Sequence, residues 1–254
     1  MTPTFKMHGS KARIAKWVVS HFPYHFERLI EPFAGRGNIF YRAYQELDFE
    51  QVLLNDLNTA PFLIALRDYE GDWSFVDDGV IDREVWLKWR DSEPSPERAL
   101  AESYVARFGS NYDMGPAKAG GDSKNGHSRR NTILRMSGAG SMLRAKKAQI
   151  TQSDWHPFLT GLEITDQDVV YLDPPYDVPQ NVHYAGIDQD LFLEVAKSLP
   201  CPVFISGYTS PRYEEALKGW RRETITRASV GKGVAHKGAS GAKPKVEEVL
   251  WYRL

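Results

Sequence analysis

The sequence predicts an open α/β fold in which strands alternate with helices, and three observations support this prediction. Short apolar runs, such as residues 51–55 and 168–172, have the length and composition of buried strands. Between such runs lie segments with apolar side chains at helical spacing, such as residues 188–199. Pro, Gly, Asn and Asp residues separate the two kinds of segment, and this alternation is typical of a sheet with helices packed on it.

Local signals define where the predicted elements begin and end. Pro23 ends the first helix, because proline lacks the N–H that a helix interior requires. We expect Asn38 to be the N-cap of the second helix, and Thr59 to be the N-cap of the third, with Pro61 in its first turn. The predicted order is helix 11–22, strand 28–33, helix 39–47, strand 51–55, helix 59–69, strand 168–172, helix 188–199, strand 202–206, and two edge strands, 220–226 and 246–254.

Composition excludes several classes of protein. Of 254 residues, 42% are hydrophobic and 26% are charged, so the chain can bury a core and is not mainly disordered. The single cysteine, Cys201, excludes an intrachain disulfide framework and a Cys-rich zinc site. The seven histidines lack the spacing of metal ligands, and we predict no metal. No apolar run approaches the roughly 18–20 residues of a membrane helix, so we expect a cytoplasmic protein.

The net charge of −1 conceals a strong segregation of charge along the chain. Residues 101–150 carry nine Lys and Arg against three Asp and Glu, and residues 201–254 carry ten against five. Residues 70–147 also interrupt the alternation of strands and helices, and they contain three tryptophans and a basic, Gly-rich run. We therefore predict an inserted subdomain there, although a solvated loop without a specific partner is the simpler alternative for the basic run.

The first motif with chemical content is Glu-Pro-Phe-Ala-Gly-Arg-Gly-Asn at residues 31–38, where a predicted strand leads into a helix. Gly35 and Gly37 allow a sharp turn and a close approach of a ligand, and the helix start offers N–H groups to an anion. Asp56 lies 19 residues after Gly37, at the end of the next strand. An acid at this distance holds ribose hydroxyls in many nucleotide sites. An ordinary tight turn remains the alternative, and Phe40 replaces the third glycine of a dinucleotide-binding fingerprint.

The second motif is Asp173-Pro174-Pro175-Tyr176, directly after the apolar strand 168–172. The prolines fix two φ angles and lack N–H groups, so the backbone carbonyls there stay outside any helix. A carboxylate and a rigid carbonyl can then both accept hydrogen bonds from one amino group, while Tyr176 stacks on a flat base. A Pro-rich turn with a satisfied aspartate is the structural alternative.

In this order, the motifs resemble those of the Dam-type family of DNA adenine methyltransferases. The resemblance includes Asn55–Asn58 (NDLN), Ser153–Trp155 (SDW), Gly9-Ser10-Lys11, and the C-terminal VFISGY and EEVLWY segments. It implies a Rossmann-like α/β sheet that binds S-adenosylmethionine, with an inserted, mainly helical target-recognition subdomain. The implied domains are a discontinuous catalytic domain, 1–68 and 148–254, and an insert, 69–147.

The resemblance also implies roles for individual residues. Asp56 would bind the ribose hydroxyls, Asp154 would meet the adenine amino group of the cofactor, and Trp155 or Phe158 would cover its face. Lys11 would contact the cofactor or the target base, while Arg36 would face DNA phosphate or solvent. The full set implied for the cofactor is Lys11, Glu31, Phe33, Ala34, Gly35, Gly37, Asp56, Asp154 and Trp155.

The resemblance places the target amino group between Asp173 and Pro174, with Pro175 and Tyr176 completing the catalytic motif. Since Arg and Lys bind phosphates and Arg and Asn read base edges, the basic runs supply candidate DNA contacts. These candidates are Lys124, Arg129, Arg130, Asn131, Arg135, Lys232 and Lys237.

The sequence thus predicts a site-specific DNA methyltransferase acting on the N6 amino group of adenine. We expect it to act on double-stranded DNA as a monomer or weak dimer in the cytoplasm of a bacterial or phage-infected cell. One alternative is methylation of adenine in RNA or of the cytosine amino group. Another is a DNA-binding relative that has lost catalysis.

Overall fold

A computed structural model describes residues 3, 5, 10–71, 129–175, 186–228 and 245–254. These residues form two compact units, residues 1–162 and residues 163–254. Within the described residues are seven strands, in the order β3-β2-β1 in the first unit and β4-β5-β7-β6 in the second. This is the order of a Rossmann-like α/β sheet with an antiparallel strand added near one edge, so the predicted sheet is confirmed, while the inserted helical subdomain stays a prediction.

The first unit has a parallel half-sheet and helices on it. Strand β1 pairs with β2, and β2 pairs with β3, all in parallel. After a 3₁₀ turn at Lys11–Arg13, its elements are α1 (Ala15–Val19), β1 (His25–Glu31), α2 (Asn38–Glu46), β2 (Asp48–Asn55), α3 (Ala60–Asp68), α4 (Arg129–Ala145), β3 (Gln149–Thr151) and α5 (Trp155–Thr160).

The second unit continues the pattern and then reverses direction. Strand β4 pairs in parallel with β5, whereas β7 runs antiparallel between β5 and β6. The two C-terminal segments therefore pair as expected, although only β6 lies at the edge of the sheet. The elements are β4 (Val169–Leu172), α6 (Gln189–Ser198), β5 (Val203–Gly207), α7 (Pro211–Ala216), β6 (Arg221–Ala228) and β7 (Lys245–Arg253).

Each unit has its own apolar core. In the first, the strand residues Leu29, Ile30 and Leu54 are fully buried, as are Phe40 of α2 and Leu63 of α3. In the second, every residue of β4 and of β5 is buried. Strands buried along their whole length are expected where a parallel sheet is covered on both faces.

Two predictions about helices are wrong in detail. The predicted helix 11–22 is divided into the 3₁₀ turn and the short α1, with Ile14 between them. Gly37, in a left-handed conformation, is the N-cap of α2, and Asn38 is its first residue. The Asn38 side chain binds the backbone of Phe5 instead of a helix N–H, because the N-terminal segment lies against it.

Of the predicted insert, the structure describes little beyond the helix α4, which packs on α3. Met136, Ala139 and Leu143 of α4 are buried. The Arg144 guanidinium donates to the Arg67 carbonyl at 2.6 Å, which fixes the end of α4 beside α3. Residues 72–128 lie outside the described residues, and the insert boundaries stay a prediction. No described helix is long and apolar enough to cross a membrane.

Candidate functional site

The turn between β1 and α2 has the shape that the glycine motif predicts. Gly35 and Gly37 have φ angles of 54° and 73°, in the left-handed region that favours glycine. Since the Gly37 N-cap has no side chain, no side-chain hydrogen bond caps α2. The first N–H groups of this nine-residue helix are thus free of a side-chain cap and point toward the turn, where they suit an anionic group.

Asp56 joins this turn to the start of α3. Its Oδ2 accepts the Gly35 N–H at 2.8 Å, while its Oδ1 accepts the N–H groups of Asn58 and Thr59 at 2.9 Å and 2.7 Å. The Thr59 hydroxyl donates to the Gly35 carbonyl, so Thr59 is an N-cap residue whose side chain serves the glycine turn instead of the helix. The carboxylate of the half-buried Asp56 therefore shapes the turn and joins it to the start of α3.

Asn55, the last residue of β2, ties three strand ends together and was not predicted as a site residue. Its side chain is 1% exposed. Its Nδ2 donates to the carbonyls of Pro32 and Ser153, each at 3.0 Å. Its Oδ1 accepts the Thr151 hydroxyl at 2.9 Å and the Ser153 N–H at 3.1 Å. A buried polar residue at the end of an apolar strand was the available signal, because such a group must find partners.

The segment after β3 brings an exposed acid and an aromatic pair to this region. Asp154 is the N-cap of α5, and its Oδ1 accepts the His156 N–H at 2.9 Å. Trp155 is buried, and its ring lies 6.0 Å from that of Phe33 in the glycine turn, centroid to centroid. Phe158 is half-buried on the next turn of α5. Asp154 and Trp155 therefore follow the third of three neighbouring parallel strands.

The N-terminal segment is fastened to the same turn through Asn38. The Asn38 Nδ2 donates to the Phe5 carbonyl at 3.2 Å and to the Ser10 hydroxyl at 3.1 Å, and its Oδ1 accepts the Phe5 N–H at 3.1 Å. Lys11, the residue after Ser10, is 5% exposed. A lysine buried this deeply is rare in proteins, and Lys11 lies in the same unit as the glycine turn.

A buried acid lies beneath the turn. Glu31, the last residue of β1, is 1% exposed. The Tyr41 hydroxyl is fully buried, and both this burial and the charge of Glu31 raise the pKa of Tyr41 above its usual range. Tyr41 therefore stays neutral, with its ring against Gly37. The Arg36 guanidinium lies 5.0 Å from the centroid of the Phe62 ring, so it packs on α3.

The Asp173 motif follows β4 in the second unit. Asp173 is half-buried, Pro174 is buried, and Pro175 is half-buried. The Pro175 carbonyl accepts a hydrogen bond from the side chain of Gln189 at 3.2 Å. Tyr176 lies outside the described residues. The Asp173 carboxylate thus stands at the carboxyl end of a buried parallel strand, which is where ligands bind in open α/β sheets.

The predicted cofactor residues and the predicted DNA residues are described to different extents. All nine cofactor residues lie in the first unit, at or near the carboxyl ends of β1, β2 and β3. Among the DNA candidates, Arg135 of α4 is half-buried, and its Nε has no hydrogen-bond partner within the described residues. The others lie outside the described residues or have undescribed side chains on α4: Lys124, Arg129, Arg130, Asn131, Lys232 and Lys237.

Metal ligands and reactive thiols are absent from the described part of the chain. No group of three or more His, Cys, Asp or Glu side chains there is arranged to hold a metal ion. Cys201 is buried, and burial, followed by the charge of Asp168, raises the pKa of its thiol to about 12. A thiol in this state is a poor nucleophile at neutral pH.

Residues 8–73 match the D12 class of N6 adenine-specific DNA methyltransferases. This segment contains Lys11, the glycine turn and Asp56, and the match confirms over these residues the resemblance that the motifs predicted. It ends before Asp154 and Asp173. No curated protein sequence matches the chain.

Several solved structures share the general course of the chain. A proposed RNA methyltransferase from Pyrococcus horikoshii is 10% identical, with a TM-score of 0.45, over 99% of this chain and 86% of its own. A precorrin-6y C5,15-methyltransferase from Geobacter metallireducens is 9% identical, with a TM-score of 0.42, over 95% and 88%. A proposed methyltransferase from Streptococcus mutans, solved with SAH, is 8% identical, with a TM-score of 0.39, over 95% and 97%. Similarity at this level says nothing about the reaction, which must be inferred from the residues of this chain.

Proposed function

Since residues 8–73 match the D12 class, we propose that the protein is an S-adenosylmethionine-dependent methyltransferase that methylates the N6 amino group of adenine in DNA. The observation that carries the proposal is the joining of the glycine turn to Asp56 inside the matched segment, at the ends of β1 and β2. The Asp173 motif at the end of β4 supports an amino nitrogen as the methyl acceptor.

The residues of the first unit fit S-adenosylmethionine. The N-terminus of α2 suits the cofactor's carboxylate, and the half-buried Asp56 at the end of β2 suits two ribose hydroxyls. Asp154, exposed at the start of α5, suits an adenine amino group, and the rings of Phe33 and Trp155 offer an apolar wall. When bound, the cofactor supplies a methyl group on a sulfonium, which is an electrophile without any help from a metal.

The proposed chemistry depends on two hydrogen-bond acceptors, the Asp173 carboxylate and the Pro174 carbonyl. These two groups would each accept one hydrogen from the amino group and leave its nitrogen lone pair free to react. S-adenosylmethionine, when bound, would supply the methyl group, and the methylated nitrogen would lose its proton to solvent. Catalysis is therefore mainly positioning, and no base with a raised pKa is required.

The target base must leave the duplex before it can react, because its amino group is paired inside the stack. A flipped adenine needs a positively charged surface to hold the flanking phosphates. We assign this role to the basic residues of α4 and of the run 231–245, including Arg129 and Arg130. Double-stranded DNA is thus the proposed partner, and the insert is the proposed reader of its sequence.

Transfer of a labelled methyl group tests the proposal. The purified protein is incubated with labelled S-adenosylmethionine and either duplex DNA or RNA of matched sequence, and the modified base is identified by mass spectrometry. We expect N6-methyladenine in DNA. The control is Asp173→Asn, which keeps the shape of the side chain but exchanges an acceptor oxygen for a donor, and it should lose most of the activity while still binding the cofactor.

Each other outcome points to a different function. Label in RNA alone would replace DNA as the substrate, and N4-methylcytosine in DNA would replace adenine as the target. Binding of both cofactor and DNA without transfer would indicate a relative that has lost catalysis.

A further inference from the structure

A buried glutamine lies behind the Asp173 motif. Gln189, the first residue of α6, is 7% exposed. Its Nε2 donates to the Pro175 carbonyl at 3.2 Å, and its Oε1 accepts the Tyr213 hydroxyl at 2.6 Å. All of these residues belong to the second unit. A polar side chain buried this far is stable only when its hydrogen bonds are made, and here both ends of the amide have a partner.

The orientation of the Gln189 amide is fixed by the chemistry of its partners. A carbonyl oxygen can only accept a hydrogen bond, so the amide nitrogen must face Pro175. The amide oxygen then faces Tyr213, whose hydroxyl is the donor. The ring of Tyr213 is itself held by packing, with centroids 5.3 Å from Trp251 and 6.3 Å from Phe192. Packing against β7 and α6 thus fixes Tyr213. The Tyr213 hydroxyl in turn fixes the Gln189 amide, which binds the Pro175 carbonyl.

Capping of α6 does not explain Gln189. The N-cap of α6 is Asp188, whose Oδ1 accepts the N–H groups of Asp190 and Leu191 at 3.0 Å and 3.1 Å. The side chain of Gln189 is therefore free to point away from the helix terminus and toward the Asp173 motif. Its hydrogen bond crosses 14 positions of sequence.

The bond to Pro175 limits the motion of the Asp173 motif. On one side, Leu172 is anchored in the sheet opposite Ile205. On the other side, the Pro175 carbonyl is anchored by Gln189. The φ angles of Pro174 and Pro175 are fixed by their rings. Between the two anchors, the soft torsions are the φ and ψ of Asp173 and the ψ of each proline. Together with the side-chain torsions of Asp173, these torsions aim the Asp173 carboxylate and the Pro174 carbonyl.

We propose that Gln189, held by Tyr213, is a positioning residue for methyl transfer: it fixes the Pro175 carbonyl and thereby the direction of the two acceptors that receive the amino group. This inference rests on the proposed function, since it requires Asp173 and Pro174 to act on an amino group.

Two nearly isosteric substitutions test the inference in the full-length protein. Gln189→Glu replaces the donor with an oxygen that repels the Pro175 carbonyl. Tyr213→Phe keeps the ring contacts and removes only the hydroxyl. Misaligned reacting groups lower the rate of the chemical step, so we expect single-turnover methyl transfer to fall about 10- to 100-fold in Gln189→Glu. We expect a smaller fall, about 3- to 10-fold, in Tyr213→Phe, with the double variant no slower than Gln189→Glu alone.

Comparing the dissociation constants with the rate of methyl transfer distinguishes a positioning role of Gln189 from a purely structural one. The dissociation constants for S-adenosylmethionine and duplex DNA should stay within about twofold of wild type in both variants. Leu193→Ala is the matched control, because it empties a buried site of the same helix and leaves the Gln189 bonds intact. It should lower the midpoint of urea unfolding more than Gln189→Glu does, yet keep the wild-type transfer rate.

Two results would overturn the inference and are distinguishable. The first result requires that the wild type methylates DNA and that Asp173→Asn does not. If Gln189→Glu then transfers methyl groups at the wild-type rate, the positioning role of Gln189 is refuted and the proposed function stands. Absence of transfer by the wild type would refute the proposed function, and the positioning role with it.

Discussion

Gly138 and Gly140 of α4 offer a direct test of how tightly this helix packs on α3. Both glycines lie in the interior of the same helix, two residues apart. A Cβ built on Gly138 meets no atom within 4 Å. A Cβ built on Gly140 falls inside 3.0 Å of the Leu66 carbonyl oxygen, closer than real Cβ atoms approach, and 3.3 Å from the Arg144 guanidinium. The pair therefore separates helix propensity from packing.

The expected changes in the free energy of unfolding have opposite signs. Alanine in a helix interior is more favourable than glycine by about 1 kcal/mol, so Gly138→Ala should stabilise by up to that amount. Gly140→Ala gains the same, but α4 and α3 must move apart by about 1 Å to relieve the overlap. Overpacking of this kind costs about 1–3 kcal/mol. Since the propensity gain is common to both variants, the difference between them measures the packing cost, about 1–3 kcal/mol.

Urea denaturation of the two variants and the wild type, followed by tryptophan fluorescence, measures these free energies. The slope of the transition must be unchanged for the midpoints to report stability. Equal stability of Gly140→Ala and Gly138→Ala would show that the Leu66 carbonyl does not lie against Gly140. The close approach of α3 and α4 would then be wrong.

Predictions at three further residues concern Gly37, Asn55 and Cys201. Gly37→Ala should destabilise the protein by about 1–2 kcal/mol, because an L-residue is strained at a φ of 73°. It should also weaken the binding of S-adenosylmethionine, which calorimetry measures. An unchanged affinity would show that this turn does not contribute to cofactor binding. Asn55→Ala should cost about 1–3 kcal/mol for each buried partner that it leaves unpaired, seen as a lower midpoint in urea, and a wild-type midpoint would contradict its hydrogen-bond network. Cys201 should resist a maleimide at pH 8 in the native protein and react once urea unfolds it. Because the pKa of its thiol is about 12 when folded and near 9 when unfolded, Cys201 should also make the protein less stable as pH rises from 9 toward 12 relative to Cys201→Ser.

The strands were the most predictable part of the fold, since their signal is local. The apolar run predicted as 51–55 corresponds to the buried half of β2, and the run predicted as 168–172 corresponds to β4. The prediction missed the start of β2, because Asp48 and Glu50 are exposed and charged where the strand begins. A prediction based on hydrophobicity misses strand residues whose side chains are charged and exposed.

The site was predictable where a motif keeps its residues close in sequence. The glycine turn was predictable, because two glycines separated by one residue between a strand and a helix indicate a sharp turn of the backbone. The roles of Asn38 and Gln189 were not, because each depends on a partner that the fold supplies from a distance: 33 positions for Phe5 and Asn38, and 14 for Pro175 and Gln189. Asparagine is a residue type that favours the N-cap position. At Asn38, the tertiary contact with Phe5 overrides this local preference.

The hydrogen bonds of Asn55 also bear on how the protein ages chemically. An asparagine deamidates when the backbone nitrogen of the following residue attacks its side-chain carbonyl carbon to close a succinimide ring. In this chain the following nitrogen, that of Asp56, donates to the Thr151 carbonyl at 3.2 Å, and the Asn55 amide is held at both its oxygen and its nitrogen. Ring closure would require both sets of bonds to break together. Asn55 should therefore persist as an amide over long storage of the folded protein.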